Sequence, residues 1–461
     1  MNPRRNFLKQ GLATSLAGWS LSSGLADEAT SLGELHLAPF RFDVTPPTGH
    51  PCCGGLTKPV EAVDDSLEAI GIVLWGLGKP IVICAVDWTG ILNDAHVQWR
   101  TVLADAAGTT PDRVAVQCVH QHNAPFACLD AQQIVEEQGD LPPIVEVDFF
   151  HRCLDRARTT IQAAVRSPRR ITHIAQGQGK VEKVASNRRV SRDSNGQILR
   201  MRGSSCQDEE LIALPEGLID PWLKTVVFFD GAEKIAACHY YATHPMSYYG
   251  DGRVSSDFAG LARKLQQAAD PTCTYIYFTG CAGNVAAGKY NNGSKPVRPL
   301  LTKRLHQGIL KSLAGLQPEA IHSGGWKTVN LLPPKRESFV FDQLAQQIAD
   351  PDQSSIHRNR CAYRLAWMQR LEQQVPIVLS SLHINGVRLL HLPAECFVQY
   401  QLRAQRMQQD QFVAAAAYGD GGPWYIPIKE EYPAGGYEVS VAFCHHEVDA
   451  LLTAGIEQLL A

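Results

Sequence analysis

Apolar runs of strand length alternate with helix-length stretches along most of this chain, and two pairs of runs flank hairpin dipeptides; no other feature constrains the fold as much. Pro80 to Val86 (PIVICAV) is one such run, followed by Asn93 as an N-cap, a helical stretch to Ala107 and Gly108 as its stop. Arg113 to Val119 is the next strand. Thr225–Phe229 and Lys234–Tyr241 flank Asp230-Gly231, and Ile377–Ile384 and Val387–Leu392 flank Asn385-Gly386, both hairpin signals. Ser255-Ser256-Asp257 opens a helix to about Ala269, with the serines as N-caps, before a strand at Thr274–Phe278. Further helices are expected at Leu300–Leu313, His357–Gln373 and His446–Leu460. Parallel-type alternation with inserted hairpins predicts an α/β fold of mixed β-sheets layered with helices. Residues 186–220 and 286–298 are polar and irregular and are expected as long surface loops. The sequence contains no internal repeat.

With 45% hydrophobic and 19% charged residues the chain can bury a large core, which excludes a disordered protein. The net charge of -3 and the lack of a dense Lys/Arg block offer nothing to nucleic acid or an anionic membrane surface. Residues 1–26 differ from the rest. Arg4-Arg5-Asn6-Phe7-Leu8-Lys9 precedes a mildly apolar, Ser/Gly-rich run ending at Gly24-Leu25-Ala26, the pattern of a twin-arginine export signal. The expected mature chain, 27–461, is then periplasmic or secreted, with no transmembrane segment. Thirteen cysteines show no paired metal-type spacing, so disulfides and free thiols both stay open.

The residues that carry chemistry stand just past strand ends, where open α/β sheets place their ligand crevice. His120 and His122, in CVHQHNAP, end one strand and share a face at i and i+2. His244 ends the first hairpin (YYATHPMS) and Glu395 the second (HLPAE), while Tyr425 follows a run of small apolar residues and a Gly-rich turn. Two histidines and a carboxylate are a recognised catalytic zinc set with one position left open.

In chain order, seven segments resemble the neutral/alkaline ceramidase family: FDVTPP near residue 42, CVHQHNAP, SNRR at 186–189, THPMS with VSSDF, TGCAGNV, LPAE, and YIPIKEEYPAGGYE. Tyr425 and Tyr437 stand 12 apart, the spacing of that family's two functional tyrosines. The resemblance implies a single large catalytic domain and one zinc ion held by His120, His244, Glu395 and Tyr425. It also places His122, Arg188 and Tyr437 around the reacting carbonyl, and implies hydrolysis of a linear amide, such as an N-acyl lipid, by zinc-activated water. It is the resemblance, not the spacing, that selects His120 over His122 as ligand. Plainer roles compete: Arg188 as a surface ion-pair partner and Tyr437 as a buried, hydrogen-bonded tyrosine.

Two departures qualify this. Where the family's glycine-rich loop has a serine implicated in amide cleavage, this chain has Ala286, and Asn284 replaces an aspartate. No acyl-enzyme can form at residue 286. The sequence also ends 24 residues beyond Tyr437, whereas family ceramidases continue into a β-sandwich module. Both make a soluble amide or ester as plausible as long-chain ceramide, and leave open a zinc esterase or lactonase, or a catalytically silent binding protein.

Overall fold

A computed structural model describes residues 33–461 and the backbone of Ser22–Ser23; the rest of the expected export signal lies outside the described residues. Three five-stranded mixed sheets, layered with helices, form the α/β architecture expected. Each is built on one connectivity: three antiparallel strands, a helix, then a fourth strand parallel to the third.

In the first sheet the strands are His36–Asp43, Glu68–Trp75, Ile81–Val86 and Val114–Cys118, with helix Asp94–Ala107 before the last. The second runs His173–Lys180, Trp222–Asp230, Glu233–Tyr241 and Thr274–Thr279, with helix Asp257–Ala269. The third runs Gly324–Leu331, Ile377–Ile384, Val387–His391 and Phe412–Ala416, with helix Val398–Met407. This threefold topology leaves no repeat in the sequence, because connectivity is set by which strands pair and not by which side chains they carry.

The parallel edges of the three sheets meet in the middle of the molecule. Backbone N–H of Ala417 donates to Thr279 (2.9 Å) and that of Cys118 to Tyr418 (2.8 Å). The Thr279 hydroxyl donates to the Val119 carbonyl (2.7 Å). Buried Gln117 spreads its amide over the carbonyls of Leu392, Ala416 and Ala417 at 2.9–3.2 Å. Burying these polar ends without partners would cost about 1–3 kcal/mol each, so the stitching fixes how the strand ends face one another. One continuous apolar core spans all three sheets.

Several expected elements appear with shifted detail. Gly108 closes its helix in the left-handed conformation at φ 71°. Asn93, however, makes no side-chain cap; it sits at φ 52° and its side-chain amide points to the Cys128 sulfur. In the first hairpin Asp230 pairs with Glu233, so the turn is Gly231–Ala232. Ser256 does not cap its helix. Ser255 Oγ accepts the Asp257 N–H instead, and both serine hydroxyls donate to Asp65. Residues 186–220 are not all loop: they contain short strands at Ser186–Asn187, Ser191–Arg192 and Ile198–Arg200 and a helix at Glu209–Ala213.

All thirteen cysteines are free thiols. No helix among the described residues is long and apolar enough to cross a membrane.

Candidate metal centre

Burial of Trp88, on the segment after strand Ile81–Val86, anchors the first wall of the site. Its ring lies 5.6 Å from Trp99 and 5.9 Å from Phe149, and its indole N–H donates to Val44 (3.0 Å). The next residue, Thr89, presents its carbonyl to His120 Nδ1 at 2.6 Å. His244 Nδ1 is engaged in the same way, 2.7 Å from the Ala282 carbonyl and 3.1 Å from that of Val285. A ring nitrogen facing a carbonyl must carry the proton, so both Nε2 atoms present lone pairs.

Both lone pairs point at one oxygen. Glu395 Oε2 lies 3.2 Å from His120 Nε2 and 2.9 Å from His244 Nε2. Three acceptors facing each other in a buried site repel unless a cation stands among them. His120, His244 and Glu395 each offer one ligand atom, all within 4.8 Å of one another, and the backbone carbonyls supply the orienting contacts usual for metal-bound histidines. The donor set fits zinc. His122 is outside this trio, with its Nε2 3.4 Å from that of His120.

The other sequence-derived residues gather around the trio. The Tyr425 hydroxyl lies 3.3 Å from His244 Nε2 and accepts from Arg188 at 3.2 Å. Arg188 is buried and not a surface ion-pair partner: it also donates to the Gly283 carbonyl (3.3 Å) and stands 3.8 Å from buried Glu438. Tyr437 is 43% exposed, which removes the buried-tyrosine alternative; its ring sits 5.8 Å from Tyr425 and 5.7 Å from the Arg188 guanidinium.

Burial alone would raise the Glu395 pKa, but positive charge on the His120 and His244 rings outweighs it and holds the carboxyl well below its usual range; with both Nε2 atoms as lone pairs, a cation among the three would supply that charge instead. Burial lowers His244 to about 4, against a smaller opposing pull from Glu395. Burial, with His120 and His244 as neighbours, takes His122 well below its ordinary value. Although the residue as a whole is exposed, desolvation by the surrounding protein raises Tyr437 to about 12, so its phenol keeps its proton at neutral pH.

Backbone strain gathers here as well. His120, Ala394 before Glu395, Tyr418, and Trp424 before Tyr425 all adopt positive φ, at 76°, 48°, 61° and 59°. Each such non-glycine residue costs on the order of 1–2 kcal/mol, and such strain concentrates at functional sites. Gly283 shows how tight the packing is: a Cβ there would lie 2.3 Å from the Glu395 carbonyl oxygen.

Some neighbours were not found from sequence. Tyr418 stacks on His120 at 4.2 Å, Cys53 Sγ approaches His122 Nδ1 at 3.9 Å, and Tyr249 packs edge-on against His122 at 4.9 Å. Tyr418 was findable, since it follows the small apolar run at Phe412–Ala416 by two residues; Cys53 and Tyr249 carry no such signal. Ala286 is fully buried and pairs in antiparallel register with Ser186. Asn284 serves the framework, accepting from the Val398 N–H (2.9 Å).

The chain superposes on neutral ceramidase from Pseudomonas aeruginosa with a TM-score of 0.67 at 15% identity, over 93% of this chain and 74% of that one. It has the neutral ceramidase fold. A second solved structure, a ceramidase complexed with C2, gives a TM-score of 0.66 at 13% identity over 93% and 75% of the two chains. No protein-family description and no curated protein matches the sequence itself. The ceramidase-like framework thus persists at 13–15% identity, where the sequence likeness is confined to short segments.

Proposed function

We propose that this chain is a zinc-dependent hydrolase that cleaves a linear amide bond in an N-acyl lipid or related amide. One observation carries the metal reading: His120 and His244 have each committed Nδ1 to a carbonyl and aim Nε2 at the same Glu395 oxygen. The ceramidase fold supports the amide class. Zinc, when bound by such a set, polarises a carbonyl and lowers the pKa of water from roughly 16 to about 7. His120, His244 and Glu395 hold the ion, with the Tyr425 hydroxyl completing the set.

Arg188 and Tyr437 both pack against Tyr425 and against each other, and both are donors at neutral pH. They bind the amide oxygen and stabilise it as it gains negative charge. His122, beside the trio but free of it, moves the proton released by the attacking water to the departing nitrogen. With Ala286 offering no hydroxyl, water is the nucleophile.

The test is metal analysis of the purified chain with a panel of N-acyl amides and esters, with and without chelator. About one zinc per chain is expected, with amide hydrolysis lost on chelation and restored by zinc. No metal and no turnover would favour a silent binding protein, and turnover of esters alone would replace the amidase by an esterase. Tyr437→Phe removes one hydroxyl from an exposed ring, so the fold should be untouched. It should lower kcat by about 10²–10³ with little change in KM, as expected for an oxyanion donor. An unchanged kcat would remove Tyr437 from the mechanism.

A further inference from the structure

A second pocket, apart from the metal centre, has a lining that fits an anion. It is a cleft of about 200 Å³ bounded by Arg336, Arg364, Ser338, Ser440, Gln343 and Gln347, with Phe339, Val340 and Leu344 as its apolar part. No carboxylate lines it; neighbouring Glu337 stands instead 3.8 Å from His445.

Among the described residues neither arginine has an acidic partner. Arg364 lies over the Phe339 ring at 5.6 Å, and its buried Nε has no hydrogen-bond acceptor. Arg336 reaches only backbone carbonyls, donating to Val439 and, at 2.9 Å, to Ala442. Burial lowers the Arg336 pKa, and Arg364 adds to that effect, as expected for two guanidinium groups facing one space. Two half-buried cations without a counter-charge are unfavourable, and an oxyanion between them would make charge-assisted hydrogen bonds to both.

We propose that this cleft binds an oxyanion, phosphate-like or sulfate-like, held by Arg364 and Arg336 with Ser338 as a further donor. The ligand is either free or the terminal group of a larger molecule. The proposal is independent of the chemistry at the metal. Ser440 lines the cleft with its hydroxyl proton given to the Tyr437 carbonyl (2.7 Å), so an occupant would rest against the short helix Tyr437–Ser440.

The test is calorimetric titration of the full chain with inorganic phosphate, and separately with glycerol 3-phosphate, at constant ionic strength with chloride as control. Saturable phosphate binding is expected, weakened at least about tenfold by Arg364→Gln, which removes the charge-assisted hydrogen bonds of one guanidinium. Arg364→Lys should bind at an intermediate level. Melting curves without phosphate check that both variants fold. Tighter binding of glycerol 3-phosphate would identify a terminal group as the source, and equal binding a free ion. Absence of saturation beyond chloride, or equal binding by folded Arg364→Gln, would overturn the site.

Discussion

Replacing His244 with alanine is expected to abolish metal binding and hydrolysis together while the three sheets stay folded. The imidazole is fully buried, and its Nε2 lies 2.9 Å from the Glu395 oxygen that also faces His120. Without it one imidazole and Glu395 remain of the trio, and Tyr425, whose phenol burial keeps protonated, is too weak a donor to replace the lost nitrogen. Metal content should fall from about one ion per chain towards zero. The structural cost is the loss of the Nδ1–H contact with the carbonyls of Ala282 and Val285, on the order of 1–3 kcal/mol. That is small beside a core that runs through all three sheets. Elemental analysis, a melting curve and an amide assay on one preparation check all three outcomes. Activity that survives with the metal gone would show that this centre does not perform the chemistry.

His122→Ala should separate the two histidines. His122 is outside the ligand group, so the variant should retain its metal and lose rate, by about 10²–10⁴ for a missing proton-transfer group. If it lost the ion as completely as His244→Ala, the metal would have to lie between His120 and His122, against the direction in which Glu395 points.

How far this was legible in the sequence depends on what each residue needed in order to be recognised. His120, His244 and Glu395 stand just past apolar strands, and strand ends could be read from periodicity. The strands that were not read break the usual rules for a physical reason. His173–Lys180 is interrupted by Gly177 and Gly179, because the backbone of helix Val297–Leu313 lies against them. A Cβ at either position would meet a carbonyl oxygen of that helix at 2.1 Å. His36–Asp43 contains Pro39, tolerated because the outer neighbour of this strand pairs only with His36 and Leu37. Asn93 has the right residue type for a cap, yet its backbone N–H donates to Asp420, a contact 327 positions away that no local pattern encodes. The choice of His120 over His122 needed the Thr89 carbonyl, which only the folded chain brings to Nδ1.

The second large effect concerns Arg189, next to Arg188 in the SNRR segment. Arg189→Met should destabilise the fold by about 3–5 kcal/mol, the cost of leaving a buried charge without its partner. The Arg189 guanidinium is almost wholly enclosed and reaches Glu438 at 2.7 Å, Glu431 at 2.8 Å and the Gly435 carbonyl at 2.7 Å. Glu438 is fully buried, and after the substitution the charge left to it is Arg188, 3.8 Å away. Set against a typical total stability of about 5–15 kcal/mol, the loss would leave a marginal protein. Denaturant unfolding measures it. The double variant Arg189→Met/Glu438→Met should recover much of the loss, because removing both partners also removes the unpaired carboxylate. A single-variant loss below about 1 kcal/mol would be that of an exposed pair and would contradict the burial. The pair also bears on catalysis. Glu438 follows Tyr437 directly, and Arg189 follows Arg188, so one ion pair joins the backbones that carry both proposed oxyanion donors. Freed from Arg189, the carboxylate would draw Arg188 away from Tyr425. Among molecules that remain folded, kcat should therefore fall while the metal stays bound.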